Sequence, residues 1–294
     1  MQRTPGPAPT EPEVRVDGLA GIETVVVPDR QHRPLAPGAC PFCLGGLEAP
    51  RPYRTRWFPN RWPPLPGGKA EILLFSPDHQ ASLGSLGVDG VSAVLELWAE
   101  RTEAQGWSPD VDYVLLFENR GAEVGATVAH PHGQLYAFAG IPPVPRRELD
   151  TGPDCPLCLP PDPALVVLED QAWQAWVPAA ASYPYELRIA PRAHAPDVGG
   201  AAATFPSAAA VIGGALAALD RVMGGPAPYM LWVHQRPTDG GAWPSAHLHL
   251  HVAPTWRAPG VPRFVAAGEL GSGVFFNPVR PEDAAAALRS GVKR

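Results

Sequence analysis

Residues 40–43 read Cys-Pro-Phe-Cys, and residues 155–158 repeat the pattern as Cys-Pro-Leu-Cys. In each copy a histidine follows 36 residues after the second cysteine. Another histidine follows after 51 residues in the first copy and 53 in the second. A Cys, Cys, His, His set that recurs at one spacing indicates a duplicated structural unit with metal-ligand residue types in each copy. The two sets are Cys40, Cys43, His79 and His130, and Cys155, Cys158, His194 and His247.

Both sets have the ligand types of a tetrahedral zinc site. With two thiolates, two imidazoles and no open position, such a site is structural rather than catalytic. We therefore predict structural zinc in the first copy and a second metal, zinc or iron, in the second. The alternative is that the cysteines are small buried apolar residues without a ligand role, and the duplicated spacing argues against it. In the first copy the metal would fix the strand that follows His130.

The segments between these ligands follow one order in both copies. An extended apolar segment leads to the first histidine, and a helix, a strand, a polar turn and a histidine-bearing strand follow. This order predicts an α+β fold of duplicated halves, each an antiparallel sheet with packed helices. The predicted segments are 71–75, a helix with apolar face Val91, Val94, Leu95 and Trp98, 112–118, 186–190, 206–221 and 228–234. The predicted domains are a flexible tail (1–15), an N-terminal domain (16–148) and a C-terminal domain (149–294).

Composition excludes several classes of protein. Apolar residues make up 45% of 294, which is enough for a substantial core, and the net charge of −6 argues against bulk nucleic-acid binding. The N-terminal residues lack the apolar core of a secretory signal. The most apolar stretch, 205–219, is too short to span a bilayer and suits a buried helix. Cysteines confined to two CxxC pairs are typical of zinc thiolates in an intracellular protein. We expect a soluble cytoplasmic protein with no membrane or nucleic-acid partner.

His132 is the candidate nucleophile. On a strand, His130, His132 and Gln134 share one face, so one residue binds metal while the next performs chemistry. A neutral imidazole attacks phosphorus well when a backbone carbonyl holds its other N–H. A lone histidine is more often an ordinary polar residue, but this one lies between a metal ligand and a glutamine.

Four segments together carry a resemblance to a known family: Cys40-Pro-Phe-Cys43, Phe75-Ser-Pro-Asp-His79, Phe117-Glu-Asn-Arg-Gly121 and Gly125-Ala-Thr-Val-Ala-His-Pro-His-Gly-Gln134. Over residues 20–290 the chain resembles galactose-1-phosphate uridylyltransferase, of the histidine-triad superfamily, and its halves are then histidine-triad-like. The resemblance implies ping-pong exchange. His132 attacks the α-phosphorus of UDP-glucose, glucose 1-phosphate leaves, and galactose 1-phosphate captures the uridylyl group.

Gln134 stands where hydrolytic relatives carry a third histidine. A sugar phosphate is a good leaving group that needs no acid, and an amide donates to a phosphoryl oxygen without offering a base to water. Glutamine would therefore favour transfer over hydrolysis.

The resemblance implies further substrate contacts. Arg30 and Arg33 would clamp phosphate across a homodimer interface, although alone they read as a solvated pair. Trp62 and Phe264 alone read as packing residues. The family's usual tyrosine before the sugar-binding glutamate is Gly268 here, so the acceptor sugar is left open. The implied contacts are Asn60, Arg61 and Trp62 for uridine; Asn119, Gly125, Ala126 and Thr127 for ribose and phosphate; and Arg263, Phe264 and Glu269 for the hexose.

The second half offers two ligand sets and a rival active site. Some family members bind a second metal through one glutamate and three histidines, and the matching residues are Glu148, His234, His249 and His251. This set shares no residue with the second Cys₂His₂ set, so both remain open beside the alternative of ordinary buried polar residues. His247-Leu-His-Leu-His251 also has the form of nucleotide hydrolases, with His249 as nucleophile. Asn119 and the phosphate-binding turn occur only in the first copy, which argues against that reading.

Two rival functions remain. One is a related phosphorylase or hydrolase of ADP-sugars or dinucleoside polyphosphates. The other is a metal-stabilised binding protein without activity, against which an intact His132 argues.

Overall fold

The computed structural model describes residues 11–28, 30, 39–152 and 155–292. Its centre is one antiparallel sheet of nine strands, flanked by two short hairpins. The hairpins are β1 (Glu13–Val16) with β2 (Glu23–Val26), and β12 (Trp256–Ala258) with β13 (Val261–Pro262). The sheet strands are β3 (Arg56–Pro59), β4 (Ala70–Leu74), β5 (Tyr113–Arg120), β6 (His132–Phe138), β7 (Val166–Glu169), β8 (Trp173–Trp176), β9 (Leu187–Pro191), β10 (Tyr229–His234) and β11 (His249–Pro254).

The strand order is β3-β4-β6-β5-β10-β11-β9-β8-β7. Read from the junction outward, β5-β6-β4-β3 of the first copy corresponds to β10-β11-β9-β8 of the second, so the two copies lie edge to edge. The junction is the antiparallel pair of β5 and β10, with Val233 opposite Leu116. The predicted α+β fold of duplicated antiparallel halves is confirmed, and the two halves share one sheet.

The helices pack mainly on one face of this sheet. The helix α1 (Gly87–Gly106) buries its predicted apolar face and contacts α3 (Phe205–Val222), which in turn contacts α5 (Pro281–Gly291). The segment Gly199–Val222 is long and apolar enough to cross a membrane by length and composition alone. Here α3 packs against α1, α5 and β8 with Ile212, Leu216 and Leu219 buried, as predicted for a core helix. The shorter helices are α2 (Pro143–Leu149) and α4 (Ala267–Ser272).

A buried ion pair ties α1 to the sheet. The Arg101 guanidinium donates to both carboxylate oxygens of Glu71 at 2.9 and 2.7 Å, and it lies 3.6 Å from the ring centroid of Trp57. Removing one partner of such a pair leaves an uncompensated buried charge, at a cost of about 3–5 kcal/mol. Glu71 and Leu73 point to the helices, whereas Ile72 and Leu74 point to the opposite face, where the candidate site lies.

Candidate active site and metal centres

His132 begins β6 and faces a cavity on the side of the sheet away from α1. Its Nδ1 lies 2.7 Å from the carbonyl oxygen of His130, so Nδ1–H donates to that oxygen and the lone pair is on Nε2. The Phe42 ring packs edge-on at 5.2 Å between ring centroids. The hydrogen bond to the His130 carbonyl sets the tautomer of this imidazole, and the Phe42 ring helps to set its orientation.

The cavity beside His132 has a volume of about 510 Å³. Most residues predicted to contact the nucleotide line it, although they come from segments as far apart in sequence as Arg30 and Gln134. Arg33 lies outside the described residues. The predicted residues that line the cavity are Arg30, Asn60, Arg61, Trp62, Asn119, Gly125, Ala126, Thr127, His132 and Gln134.

The turn after β5 depends on glycine. Gly121 has φ +100°, and a Cβ there would lie 2.7 Å from Cβ of Pro228. Gly125 is also left-handed, at φ +81°. The Ala126 N–H donates to the Gly121 carbonyl at 3.2 Å and closes the turn. Gly125, Ala126 and Thr127 then line the cavity. Backbone in this conformation is a common cradle for phosphate.

Several cavity residues were not predicted. Phe42 is inside the first CxxC pair. Tyr136 packs on Phe117 at 4.7 Å between centroids, with its hydroxyl 3.5 Å from Oε1 of Gln134. Glu48 forms an ion pair with Arg61 at 2.5 Å. Tyr136 lies two residues after Gln134 and is detectable from strand alternation. Glu48 is in an irregular loop and has no such signal.

The first Cys₂His₂ set is assembled as its spacing predicted. Sγ of Cys43 lies 3.4 Å from Nδ1 of His79 and 3.7 Å from Nδ1 of His130. In a tetrahedral zinc site with bonds of about 2.0–2.3 Å, neighbouring ligand atoms lie about 3.6 Å apart. All four donor atoms, Cys40 included, are within 4.8 Å of one another. The geometry and chemistry of these donors fit zinc.

Contacts behind the ligands hold His130 in a metal-binding tautomer. Its Nε2 lies 2.7 Å from the Ser76 carbonyl oxygen and 3.0 Å from the Tyr53 hydroxyl, so Nε2–H donates and Nδ1 faces the thiolates. Tyr53 also donates to the Phe42 carbonyl at 2.8 Å. Burial lowers the pKa of His130 and raises the pKa of Tyr53 to about 12. The candidate metal ligand His130 and the cavity residue Phe42 are therefore linked through Tyr53.

The second Cys₂His₂ set has the same geometry. Nδ1 of His247 lies 3.2 Å from Sγ of Cys155 and 3.7 Å from Sγ of Cys158, which is 3.4 Å from Nδ1 of His194. Nε2–H of His247 donates to the Pro191 carbonyl at 3.0 Å. Burial lowers the pKa of His247 to about 4. Cys158, by contrast, is exposed. This site also fits zinc and is more open to solvent.

The third predicted set is also brought together. Oε2 of Glu148 lies 2.6 Å from Nδ1 of His234 and 3.2 Å from Nε2 of His249, and Oε1 lies 3.6 Å from Nε2 of His251. Nε2 of His251 is buried without a hydrogen-bond partner among the described residues, as expected of a ligand awaiting an ion. Burial would raise the pKa of Glu148, but its three histidine contacts outweigh burial and hold this pKa well below its usual range.

The predicted hexose segment does not line the His132 cavity among the described residues. Arg263 instead forms a buried ion pair with Glu269 at 2.5 Å and lies 4.5 Å from the ring centroid of Tyr183. Glu269 also accepts the N–H groups of Ala266 and Phe276 at 3.0 Å each. Phe264 is exposed. Their contact with a hexose stays a prediction.

Fold and site define a duplicated α+β protein in which a histidine beside a Cys₂His₂ cluster faces a cavity of about 510 Å³. Residues 64–142 match the model of the galactose-1-phosphate uridyl transferase N-terminal domain. The galactose-1-phosphate uridylyltransferase of Thermotoga maritima is 30% identical over 94% of this chain and 98% of its own length. The chain therefore belongs to the galactose-1-phosphate uridylyltransferase family.

Two other comparisons bear on the chain. A solved structure of a uridylyltransferase superposes with a TM-score of 0.86 at 27% identity, covering 95% of this chain and 97% of that one. The ADP-glucose phosphorylase of Arabidopsis thaliana is 26% identical over 95% of this chain and 92% of its own length. One relative of the chain is thus named for a different nucleotide sugar.

Proposed function

We propose that this protein exchanges UMP between UDP-glucose and galactose 1-phosphate by a ping-pong reaction through a uridylyl-histidine at His132. The observation that carries the proposal is the orientation of that imidazole. Its Nδ1–H is held by the His130 carbonyl at 2.7 Å, and the ring lies in the wall of a cavity of about 510 Å³ with Asn119 and Gln134. Family membership supports the same chemistry.

In the first half-reaction Nε2 of His132 attacks the α-phosphorus of UDP-glucose. The N–P bond forms, the bond from phosphorus to the bridging oxygen breaks, and glucose 1-phosphate leaves with the electron pair. The imidazole becomes cationic, and the His130 carbonyl that accepts Nδ1–H stabilises this charge. In the second half-reaction a phosphate oxygen of galactose 1-phosphate attacks the same phosphorus. The N–P bond breaks, and UDP-galactose leaves.

The surrounding residues would bind and orient the nucleotide. The backbone around Gly125 and Ala126, with Asn119 and Thr127, would hold the ribose and phosphate. Trp62 would pack on the base. Gln134 would donate to a non-bridging phosphoryl oxygen. Arg30 and Arg33 would clamp phosphate in a homodimer with shared sites.

The metal sites have a structural part in this proposal. The donors Cys40, Cys43, His79 and His130 would hold a zinc ion, which supplies a crosslink between three segments of chain. His130 then fixes the carbonyl that orients His132, and the Cys40–Cys43 loop fixes Phe42 against the same ring. The second Cys₂His₂ set and the Glu148 set would hold further ions in the second half, away from the reacting phosphorus.

The alternative is a nucleotide-sugar phosphorylase acting on ADP-sugars, since one relative is an ADP-glucose phosphorylase. The two functions share the His132 step and differ in base and acceptor.

A panel of UDP-, ADP- and GDP-glucose, each with galactose 1-phosphate or inorganic phosphate, separates them. We expect the highest kcat/KM for UDP-glucose with galactose 1-phosphate. A preference for ADP-glucose with phosphate would replace the proposal by the alternative, and no exchange with any nucleotide sugar would refute both.

A further inference from the structure

Strand register assigns each active-site position of the first copy a counterpart in the second. On β6, Gln134 is flanked by Phe117 of β5 and Ile72 of β4. On β11, His251 is flanked by Trp232 of β10 and Arg188 of β9. His251 therefore takes the place of Gln134, and Arg188 takes the place of Ile72, so an apolar wall position has become a cation.

The same register places His249 where the first copy has His132. Nδ1 of His249 lies 2.7 Å from the carbonyl oxygen of His247, the same distance that orients His132 on His130. His234 is opposite His249 and takes the place of Asn119. The second copy thus keeps the backbone geometry of the first site and changes the side chains around it.

Arg188 interacts with the nearby Glu186 carboxylate through charge alone, without a direct ion pair. Its Nε atom is buried with no hydrogen-bond partner, and its guanidinium forms no ion pair or hydrogen bond within the described ranges 11–28, 30, 39–152 and 155–292. A buried Nε–H with no acceptor is costly unless water or a ligand supplies one.

Arg188 lines a cavity of about 220 Å³ together with Glu148, His234 and His249. By comparison, one water needs roughly 10–15 Å³. Two hydroxyls that share this cavity, those of Thr151 and Ser245, donate to backbone carbonyls at 2.8 Å each. A third, that of Tyr113, accepts the N–H of Gln235 at 3.2 Å. Glu148 is the carboxylate of this lining, and its oxygens are directed to the three histidines. Arg188 is therefore left to a ligand that enters the cavity.

We infer that the second copy contains an anion site in which Arg188 binds a phosphate group beside His249. A guanidinium binds phosphate through two parallel N–H donors, and the cavity is large enough for the ion with water or for a small phosphate ester. The choice of phosphate over other oxyanions rests on the proposed function, because the equivalent residue of the first copy, Ile72, lines the cavity in which phosphoryl transfer is proposed. The existence of the site does not depend on transfer activity.

The test counts inorganic phosphate bound by equilibrium dialysis to the metal-replete protein. His132→Gly serves as background, so that saturating UDP-glucose fills the first site without turnover. We expect one phosphate per chain, bound at least about tenfold more weakly in Arg188→Met and weakened less in Arg188→Lys, which keeps charge but loses the bidentate geometry. The matched control is Arg192→Met, because Arg192 follows β9, is exposed and already pairs with Glu169.

Equal phosphate affinity in the Arg188 variants and the Arg192 control, or no phosphate bound once UDP-glucose is present, would overturn the site. If Arg188→Met does not fold, the comparison of Arg188→Lys with the control decides. Failure of the proposed function gives a different result. UDP-glucose would then not fill the first site. Phosphate would bind there as a second ion per chain, with the same affinity in every variant.

Discussion

His132 and His249 occupy the same position in two copies of one fold, and they differ in what lies against them. Both donate Nδ1–H to the carbonyl two residues earlier at 2.7 Å. His132 faces a cavity of about 510 Å³. His249 instead lies 3.2 Å from the Glu148 carboxylate, which α2 brings back onto the strand. A duplicated framework therefore supplies the imidazole geometry twice, and the residues opposite each imidazole decide whether a carboxylate lies against it.

The two Cys₂His₂ sets differ in a related way. In the first copy Tyr53 connects His130 to the Phe42 carbonyl, and Phe42 packs on His132. The second copy holds His247 through the Pro191 carbonyl, and Cys158 is exposed. The first set is thus linked to His132, whereas the second set lies in the copy whose equivalent histidine, His249, contacts Glu148.

The largest expected effect comes from removing each strand histidine in turn. His132→Gly should lower uridylyl transfer by roughly 10⁴-fold or more, because the nucleophile is lost while the predicted zinc ligands remain. His249→Gly should keep transfer within about tenfold of wild type, since its side chain faces Glu148. Steady-state kinetics with metal analysis measures both. Loss of transfer in the His249 variant alone would reverse the assignment of the two copies.

A second difference between the copies is at the junction, where Glu118 on β5 corresponds to Val233 on β10. Burial raises the pKa of Glu118 from its usual 4.5 to about 7, and the Tyr229 hydroxyl donates to it at 2.9 Å. The folded state therefore favours the protonated carboxyl. The free energy of unfolding from this group falls as pH rises from about 4.5 to 7, because the unfolded chain ionises first.

Glu118→Gln removes this dependence. The difference in unfolding free energy between the variant and wild type should shift in favour of the variant by about 2–3 kcal/mol as the pH rises from 5 to 8. Each pKa unit corresponds to about 1.4 kcal/mol. Urea unfolding at the two pH values measures it. Parallel pH profiles for both proteins would mean that Glu118 is already ionised in the folded state at pH 5.

Matched cysteine variants compare the two metal sites. Cys43→Ser and Cys158→Ser should each remove one metal ion per chain. Cys43→Ser should also lower transfer by about 10–100-fold, because the loop that carries Phe42 is no longer fixed. Cys158→Ser should change transfer much less. Metal content by mass spectrometry, read beside kcat, tests the pair, and equal loss of kcat in both variants would remove the distinction between the sites.

The smallest expected effect concerns Gln134, whose counterpart is His251. Gln134→His should raise hydrolysis of UDP-glucose relative to transfer by a few-fold to about tenfold, since an imidazole can assist water where an amide cannot. Glucose 1-phosphate release without acceptor measures hydrolysis. An unchanged ratio would mean that water is excluded by the cavity rather than by the identity of this side chain.

Much of this arrangement was predictable because the decisive residues recur at fixed spacing. The two Cys₂His₂ sets follow from sequence distances alone, and strand alternation placed Gln134 beside His132. The joining of the halves through β5 and β10 was not predicted, since pairing between strands more than 100 residues apart has no local signal. Ion pairing of Arg263 with Glu269 likewise depends on a fold of residues 263–276 that no periodicity reveals.

Arg188 illustrates a further limit of sequence reasoning. In sequence it is one charged residue in an apolar strand, and such residues commonly point to solvent. Only the register with His251 places it on the face that carries the histidines. The Glu148 set was implied by family resemblance. Its contacts with three histidines depend on α2 folding back onto β11, which the sequence alone does not show.

The central claim is that His132, and not His249, carries the nucleotidyl group. The direct measurement is incubation with UDP-glucose labelled at the α-phosphorus, followed by alkaline denaturation, proteolysis and sequencing of the labelled peptide. Stable in base and labile in acid, the label should lie on the peptide containing residues 130–134 and be discharged by galactose 1-phosphate. Label on the peptide containing residues 247–251, or no protein-bound label in the absence of acceptor, would contradict the account.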